Sequence, residues 1–210
     1  LAAGGTSSAL TSEASPSRGL VKKWGMVSAG DLTSSSQARP ARLQDASACA
    51  AIYAPYVRDS VITFETEVPG EQEMAARIVA ARQAHEWLVL DVSGVIVGYA
   101  YAHELNPRAA YRWSVETSVY MAADRRRSGG GSILYGELLG RLTERGYRRA
   151  FAGITQPNEA SNAFHRAFGF EHAGLYRRVG WKMNAWHDVA WMQLDLQGLD
   201  EETAPPEEIT

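Results

Sequence analysis

The apolar positions of this chain recur with two periods, one near 3.6 residues and one of 2, and the switches between them mark its elements. Asp45 can cap a helix that runs to about Tyr56, with Ile52, Tyr53 and Tyr56 at helical spacing. A loop around Ser60–Gly70 separates it from a second helix over Glu71–Ala84. Trp87–Asp91 and Val95–Tyr101 are strand-like runs split by Ser93-Gly94, a pair suited to a tight hairpin turn. Trp113–Met121 reads as a third strand, and a helix over Ile133–Arg145 follows a glycine-rich turn. Gly146 stops that helix, and Arg149–Ile154 reads as a buried strand. Asn158–Phe168 is helical and ends at Gly169; Gly180 to Leu196 suggests a closing β-hairpin. Two helices, a meander and a β-α-β unit predict an α/β fold, a mixed sheet with helices on both faces.

The ends lack these periods. Residues 1–37, rich in Ser, Ala, Gly and Thr, read as a disordered leader, and 198–210 as an acidic, solvated tail carrying Pro205-Pro206. The folded domain is expected over 38–197. The first residue is Leu1, which fits a fragment, an extended reading frame or a processed product, with Met26 a candidate start. At 210 residues with 45% hydrophobic and 21% charged positions, the composition is that of a globular domain. A net charge of -3 argues against general nucleic-acid binding. No apolar stretch approaches the ~20 residues of a membrane span. The single cysteine, Cys49, allows no internal disulfide, which suits a reducing cytoplasm, and it reads as a small buried hydrophobe.

The most informative chemistry is the run Arg125-Arg126-Arg127-Ser128-Gly129-Gly130-Gly131-Ser132, between a strand and a helix. A helix start exposes backbone N–H groups at the positive end of its dipole, glycine permits close approach, and arginine adds attraction for an anion. The run predicts a phosphate site, weighed against an ordinary basic surface turn. A kinase-type phosphate loop would need Gly-Lys-Ser/Thr, but Ile133 follows Gly131-Ser132. A dinucleotide site would need wider glycine spacing and an acid ending the next strand, which closes near Ile154-Thr155.

Arg126-Arg127-Ser128-Gly129-Gly130-Gly131 resembles the Arg/Gln-x-x-Gly-x-Gly/Ala signature of the GNAT superfamily of N-acetyltransferases. Ser118-Val119-Tyr120-Met121 resembles its splayed strand, and Asn158 to His165, closed by Gly169-Phe170, its Asn-led helix. A closer resemblance, over roughly Arg39 to Leu196, is to the phosphinothricin and methionine sulfoximine N-acetyltransferases. It is carried by Ile52–Tyr56, Val61–Glu67, Tyr111–Tyr120, Gly180-Trp181-Lys182 and Trp186–Val189. The resemblance implies a central, mostly antiparallel sheet flanked by helices, with a splayed strand pair holding acetyl-CoA as co-substrate. It implies a homodimer and a small-molecule amine acceptor.

Carried over residue by residue, it implies that Val119, Tyr120, Met121, Arg126, Arg127, Ser128, Gly129, Gly130, Gly131, Ser132 and Asn158 hold acetyl-CoA, the pyrophosphate lying on the N–H groups of Arg127–Ser132. Glu116 is the implied general base. Strand alternation puts it on one face with Ser118 and Tyr120, opposite Val115, Thr117, Val119 and Met121; a plain ion pair with Arg112 is the alternative. His165 stands where most superfamily members carry a tyrosine that protonates the leaving thiolate, a role histidine can take near neutral pH; simple packing is its alternative. Phe64 and the loop Thr63–Thr66 are the expected wall of the acceptor pocket. Arg108, Arg112 and Lys182 are candidate cations for an α-carboxylate, with Glu116, Thr117 and Ser118 beside them. Lys182 and Trp186 lie on a hairpin that helps form the homodimer in relatives. Asn184, where relatives commonly have glycine, tolerates a left-handed turn. His103, His172 and His187 lack ligand spacing, so no metal is expected. Competing readings are acetylation of a polyamine or a peptide N-terminus, and a silent acetyl-CoA-binding module, against which both Glu116 and His165 weigh.

Overall fold

The period-2 runs pair edge to edge into one sheet, and the helical runs bury their apolar stripes on its two faces. The computed structural model describes residues 36–196 and residue 209. Its elements are β1 (Ser36–Pro40), α1 (Ala46–Asp59), α2 (Glu71–Ala84), β2 (Trp87–Val92), β3 (Val95–Glu104), β4 (Ser114–Met121), α3 (Gly130–Glu144), β5 (Arg149–Gln156), α4 (Glu159–Ala167), β6 (Glu171–Lys182) and β7 (Ala185–Asp195). The sheet order is β1-β2-β3-β4-β5-β7-β6, antiparallel throughout except between β4 and β5. The expected mixed, mostly antiparallel sheet with helices on both faces is what forms. Among the described residues no helix is long and apolar enough to cross a membrane.

On one face Leu134, Tyr135, Leu138, Leu139 and Leu142 of α3 recur at helical spacing and are buried with Leu88, Leu90, Phe168 and Phe170. On the other, Ile52, Tyr53, Tyr56 and Val57 of α1 and Met74 and Ile78 of α2 pack on Trp87, Val89, Tyr99 and Tyr120. Cys49 is buried in this second cluster, and burial pushes its thiol up to about 12, so it is an apolar filler as expected.

The punctuation also holds. Gly146 (φ 98°) follows α3, with its N–H on the Thr143 carbonyl and the Tyr147 N–H on that of Leu142; Gly169 (φ 87°) ends α4 through the same pair of bonds from Gly169 to Arg166 and from Phe170 to His165. Both two-residue hairpin turns, Ser93-Gly94 and Met183-Asn184, have positive φ at each central residue, and Asn184 adopts 61°.

Four expectations are corrected. β1 begins inside the supposed leader, because Ser36–Pro40 completes the edge beside β2; residues 1–35 lie outside the described residues. Asp45 does not cap α1 with its side chain. Its carboxylate accepts from the Arg42 N–H at 2.7 Å and from the Arg39 guanidinium at 2.8 and 3.0 Å, tying the turn before the helix to β1. The helix over Ile133–Arg145 starts three residues earlier, within the glycine run. The closing hairpin is longer than Gly180–Leu196, since β6 starts at Glu171. The acidic tail lies outside the described residues except Ile209, which packs against the α3-side cluster.

Candidate active site

β4 and β5 pair only through Ser114–Glu116 and Arg149–Phe151, then diverge. A side-chain bond ties the two strands at the apex of this wedge: Thr117 Oγ1 donates to the Phe151 carbonyl at 3.0 Å and lies 2.7 Å from the Tyr135 hydroxyl. β3 covers one edge of β4 along its whole length, so the other edge opens onto the wedge beyond Thr117. A slot of about 70 Å³ lies there, lined by Ser118, Val119, Gly153, Asn158, Ser161 and His165. It leads toward a cavity of about 270 Å³ lined by Tyr56, Val119, Met121, Arg126, Gly129 and Phe164.

The glycine-rich run forms the far end of that cavity. Arg127 (φ 60°) and Gly129 (φ 85°) turn the chain so that α3 starts at Gly130. Ser132 spends its N–H on the Gly129 carbonyl at 3.0 Å, which narrows the expected N–H cradle to Arg127–Gly131. Gly130 is needed for close approach: a Cβ there would fall 2.7 Å from Leu90 and 2.8 Å from Met121. The Arg126 guanidinium lies over the Tyr56 ring at 4.7 Å, and the Tyr56 hydroxyl donates to the Met121 carbonyl at 2.7 Å. Tyr56 thus links α1, the end of β4 and the arginine. Helical spacing marked it as core and carried no sign of this second role. A helix N-terminus, an open strand edge and a cationic side chain in line fit a long ligand with a phosphate end and an amide-bearing arm, as acetyl-CoA has.

Glu116 and Thr117 point to opposite faces, as strand alternation predicts. Glu116 is half-buried, its Oε1 reaching toward Gly153, with Trp191 packed against the same point. Burial raises its carboxyl above the usual range, opposed by the charge of His103, whose Nε2 lies 3.8 Å from Oε2. The alternative partner Arg112 instead lies 4.1 Å over the Trp113 ring. Thr117 is buried, its hydroxyl spent on the wedge, so it does not join Glu116 as a substrate contact.

Asn158 begins α4 and its Oδ1 caps the helix on the Ser161 N–H at 3.1 Å. His165 is buried among Tyr135, Phe164 and Phe170. Its Nδ1 lies 2.8 Å from the Ser161 carbonyl, which can only accept, so Nδ1 carries the hydrogen. Burial lowers the ring's pKa, opposed by that bond. His165 thus lines the slot, and desolvation works against its imidazolium form.

The Phe64 loop is stitched to its surroundings. The Tyr53 hydroxyl lies 2.6 Å from Thr63 Oγ1 and 3.0 Å from Glu65 Oε1, and Arg77 grips both Glu65 oxygens at 2.7 and 3.0 Å. Lys182 Nζ donates to the Thr63 carbonyl at 2.8 Å. Lys182 is buried, and burial lowers its pKa against the pull of Glu65. It is a staple of this loop rather than an exposed grip for a carboxylate. The Phe64 ring lies against Gly180, bringing loop and hairpin together. Arg108 and Arg112 are exposed on the segment leading into β4. Among the described residues no three His, Cys, Asp or Glu side chains converge as metal ligands would.

Comparison with known proteins agrees with this geometry. Residues 39–191 match the family described as Acetyltransferase (GNAT) domain. The chain is 36% identical over 159 residues to the phosphinothricin N-acetyltransferase of Streptomyces viridochromogenes, covering 76% of this chain and 87% of that one. It is 35% identical over 164 residues to the L-methionine sulfoximine/L-methionine sulfone acetyltransferase of Pseudomonas aeruginosa, covering 77% and 95%. Among solved structures it is similar to a GNAT superfamily phosphinothricin acetyltransferase from Sinorhizobium meliloti in complex with AcCoA, with a TM-score of 0.78, 37% identity and coverage of 83% and 95%. With a matching domain over most of its length and the splayed-strand wedge that fits acetyl-CoA, the chain belongs to the GNAT family of acetyltransferases.

Proposed function

We propose that the protein transfers the acetyl group of acetyl-CoA to the amino group of a small amino-acid-like molecule, of the phosphinothricin or methionine sulfoximine kind. The observation that carries this reading is Glu116, a half-buried carboxylate at the apex where β4 and β5 part, beside the slot that leads to the glycine-rich helix start. The names of the relatives support the acceptor class.

Acetyl-CoA, when bound, supplies an activated thioester carbonyl. The N–H groups of Arg127–Gly131 and the Arg126 guanidinium hold its phosphates, and the open edge of β4 aligns its arm. Glu116 removes a proton from the acceptor ammonium, directly or through one water, so that a neutral amine attacks. His165 lines the slot. Phe64 walls the acceptor, and Arg108 and Arg112 are the exposed cations for an α-carboxylate. The apolar residues exposed on β6, its turn and the start of β7, Tyr176, Val179, Trp181, Met183 and Trp186, are the proposed homodimer face, read by sedimentation equilibrium. A reducing, cytoplasmic setting accords with one buried cysteine.

A second reading has its own support. The cavity beside Phe64, about 490 Å³, is lined by Glu65, Glu67 and Glu73 against the single cation Arg77, a balance that suits a polyamine. A thiol-release screen over methionine sulfoximine, methionine sulfone, phosphinothricin, common amino acids and polyamines separates the two. Turnover of the sulfoximine and phosphinate amino acids is expected; response to polyamines alone would overturn the main reading. Glu116→Gln is expected to lower kcat by about 10²–10⁴ and flatten the acidic limb of the pH profile.

A further inference from the structure

The antiparallel register of β3 and β4 puts His103 directly opposite Glu116, on the same face of the sheet. His103 Nε2 lies 3.8 Å from Glu116 Oε2, longer than a hydrogen bond but close enough for charge to matter. The other ring nitrogen is committed: Nδ1 lies 3.0 Å from the Glu104 carbonyl, which can only accept, so Nδ1 carries the hydrogen. The uncharged ring therefore turns a lone pair at Nε2 toward the carboxylate. A proton at Nε2 turns that repulsion into attraction. The two ends differ in access to water, the His103 side chain being 43% exposed and that of Glu116 26%.

The other charged groups on this face are occupied or further off. Arg77, which with His103 lines a cavity of about 500 Å³, is gripped by Glu65 and Glu73. His85, in the same cavity, bonds to Tyr147 and is pushed toward its neutral form, first by burial and then by the charge of His103. Glu104 lies on the rim, and Tyr101 stacks between Trp87 and His103. From β5 and β7, Glu116 meets Gly153 and Trp191, neither of which titrates.

We propose that His103 is a positioning residue for the base: its imidazolium, across the strand pair from Glu116, holds that carboxylate ionised against the effect of burial. This rests on the reading of Glu116 given above. The acceptor ammonium gives a proton to the Glu116 carboxylate, leaving a neutral amine and a carboxylic acid. The Glu116 acid then releases that proton to water, which restores the carboxylate beside the imidazolium. His103 acts through Glu116 and is a positioning residue, not one that touches the reacting atoms.

The test is the pH dependence of kcat/KM for the acceptor in wild type, His103→Gln and His103→Lys, with Glu116→Gln as control. Removing the cation makes Glu116 harder to ionise, so the acidic limb of His103→Gln moves to higher pH. Its rate at pH 6 relative to pH 8.5 is expected to fall by about threefold or more. His103→Lys keeps a positive charge and is expected to leave the limb at or below its wild-type position, which loss of packing alone would not do. Coincident limbs in all three proteins overturn the inference while a dead Glu116→Gln leaves the base assignment standing. Wild-type turnover in Glu116→Gln would overturn that assignment, and this inference with it.

Discussion

Gly180→Ala tests whether the contact between the Phe64 loop and the β6–β7 hairpin shapes the acceptor pocket. A Cβ at Gly180 would fall 2.1, 2.4 and 2.5 Å from three carbons of the Phe64 ring. Ordinary carbon contact begins near ~3.5 Å, so the ring has to retreat by about 1.4 Å. The loop that carries it is fastened by Lys182, Tyr53 and Arg77, so the ring swings out of place more readily than the loop shifts. Gly180 does not occupy the left-handed region, so alanine brings steric crowding without backbone strain. Overpacking of this kind costs about 1–3 kcal/mol, and a domain of this size loses about 2–4 °C of Tm per kcal/mol. A displacement of more than an ångström in a substrate wall can cost about 10²-fold in rate. The expected result is a lowered Tm, a raised acceptor KM and a reduced kcat, with the KM for acetyl-CoA unchanged, read by thermal unfolding and thiol-release kinetics. Phe64→Leu in the same chain should relieve the crowding and recover most of the Tm. A single variant with wild-type Tm and acceptor KM would refute the reasoning.

Two further outcomes probe the other end of the site and the frame. Gly129→Ala forces a Cβ into a left-handed conformation (φ 85°) at a cost of about 1–2 kcal/mol, and is expected to raise the KM for acetyl-CoA about tenfold with little change in that of the acceptor. Burial raises the Asp45 carboxyl, but the Arg39 bonds and the Arg42 N–H outweigh it and hold it below its ordinary value. A depressed folded-state pKa contributes stability above the unfolded value near ~3.9 and loses it as pH falls through the folded one. Arg39 keeps Asp91 as a partner, so Asp45→Asn is expected to lower urea stability at pH 7 by about 1.5–3 kcal/mol and to narrow the gap to wild type as the pH drops below ~4.

Local signals were legible where one short segment sets its own conformation. The left-handed glycines after α3 and α4, both two-residue turns and the glycine run before α3 need no distant partner, and each stands where the residue types place it. The Asp45 cap failed because a residue more distant in the chain competed: Arg39, six positions back on the edge strand, offers a charged fork that a single backbone N–H does not match. β1 and most of β6 escaped because edge strands bury little, so Ser36–Pro40 and Glu171–Val179 carry only a weak apolar alternation.

The candidate site divides along the same line. The glycine-rich turn before α3 and the alternation that separates Glu116 from Thr117 follow from the chain by itself, since both are properties of consecutive residues. The tertiary structure decided what each side chain is for. It spent Thr117 on the wedge apex, buried Lys182 against the Thr63 carbonyl, tied His165 Nδ1 to the Ser161 carbonyl and put His103, thirteen positions away, across from Glu116. Burial and cross-strand register set protonation and availability, and both depend on segments brought together only when the sheet closes.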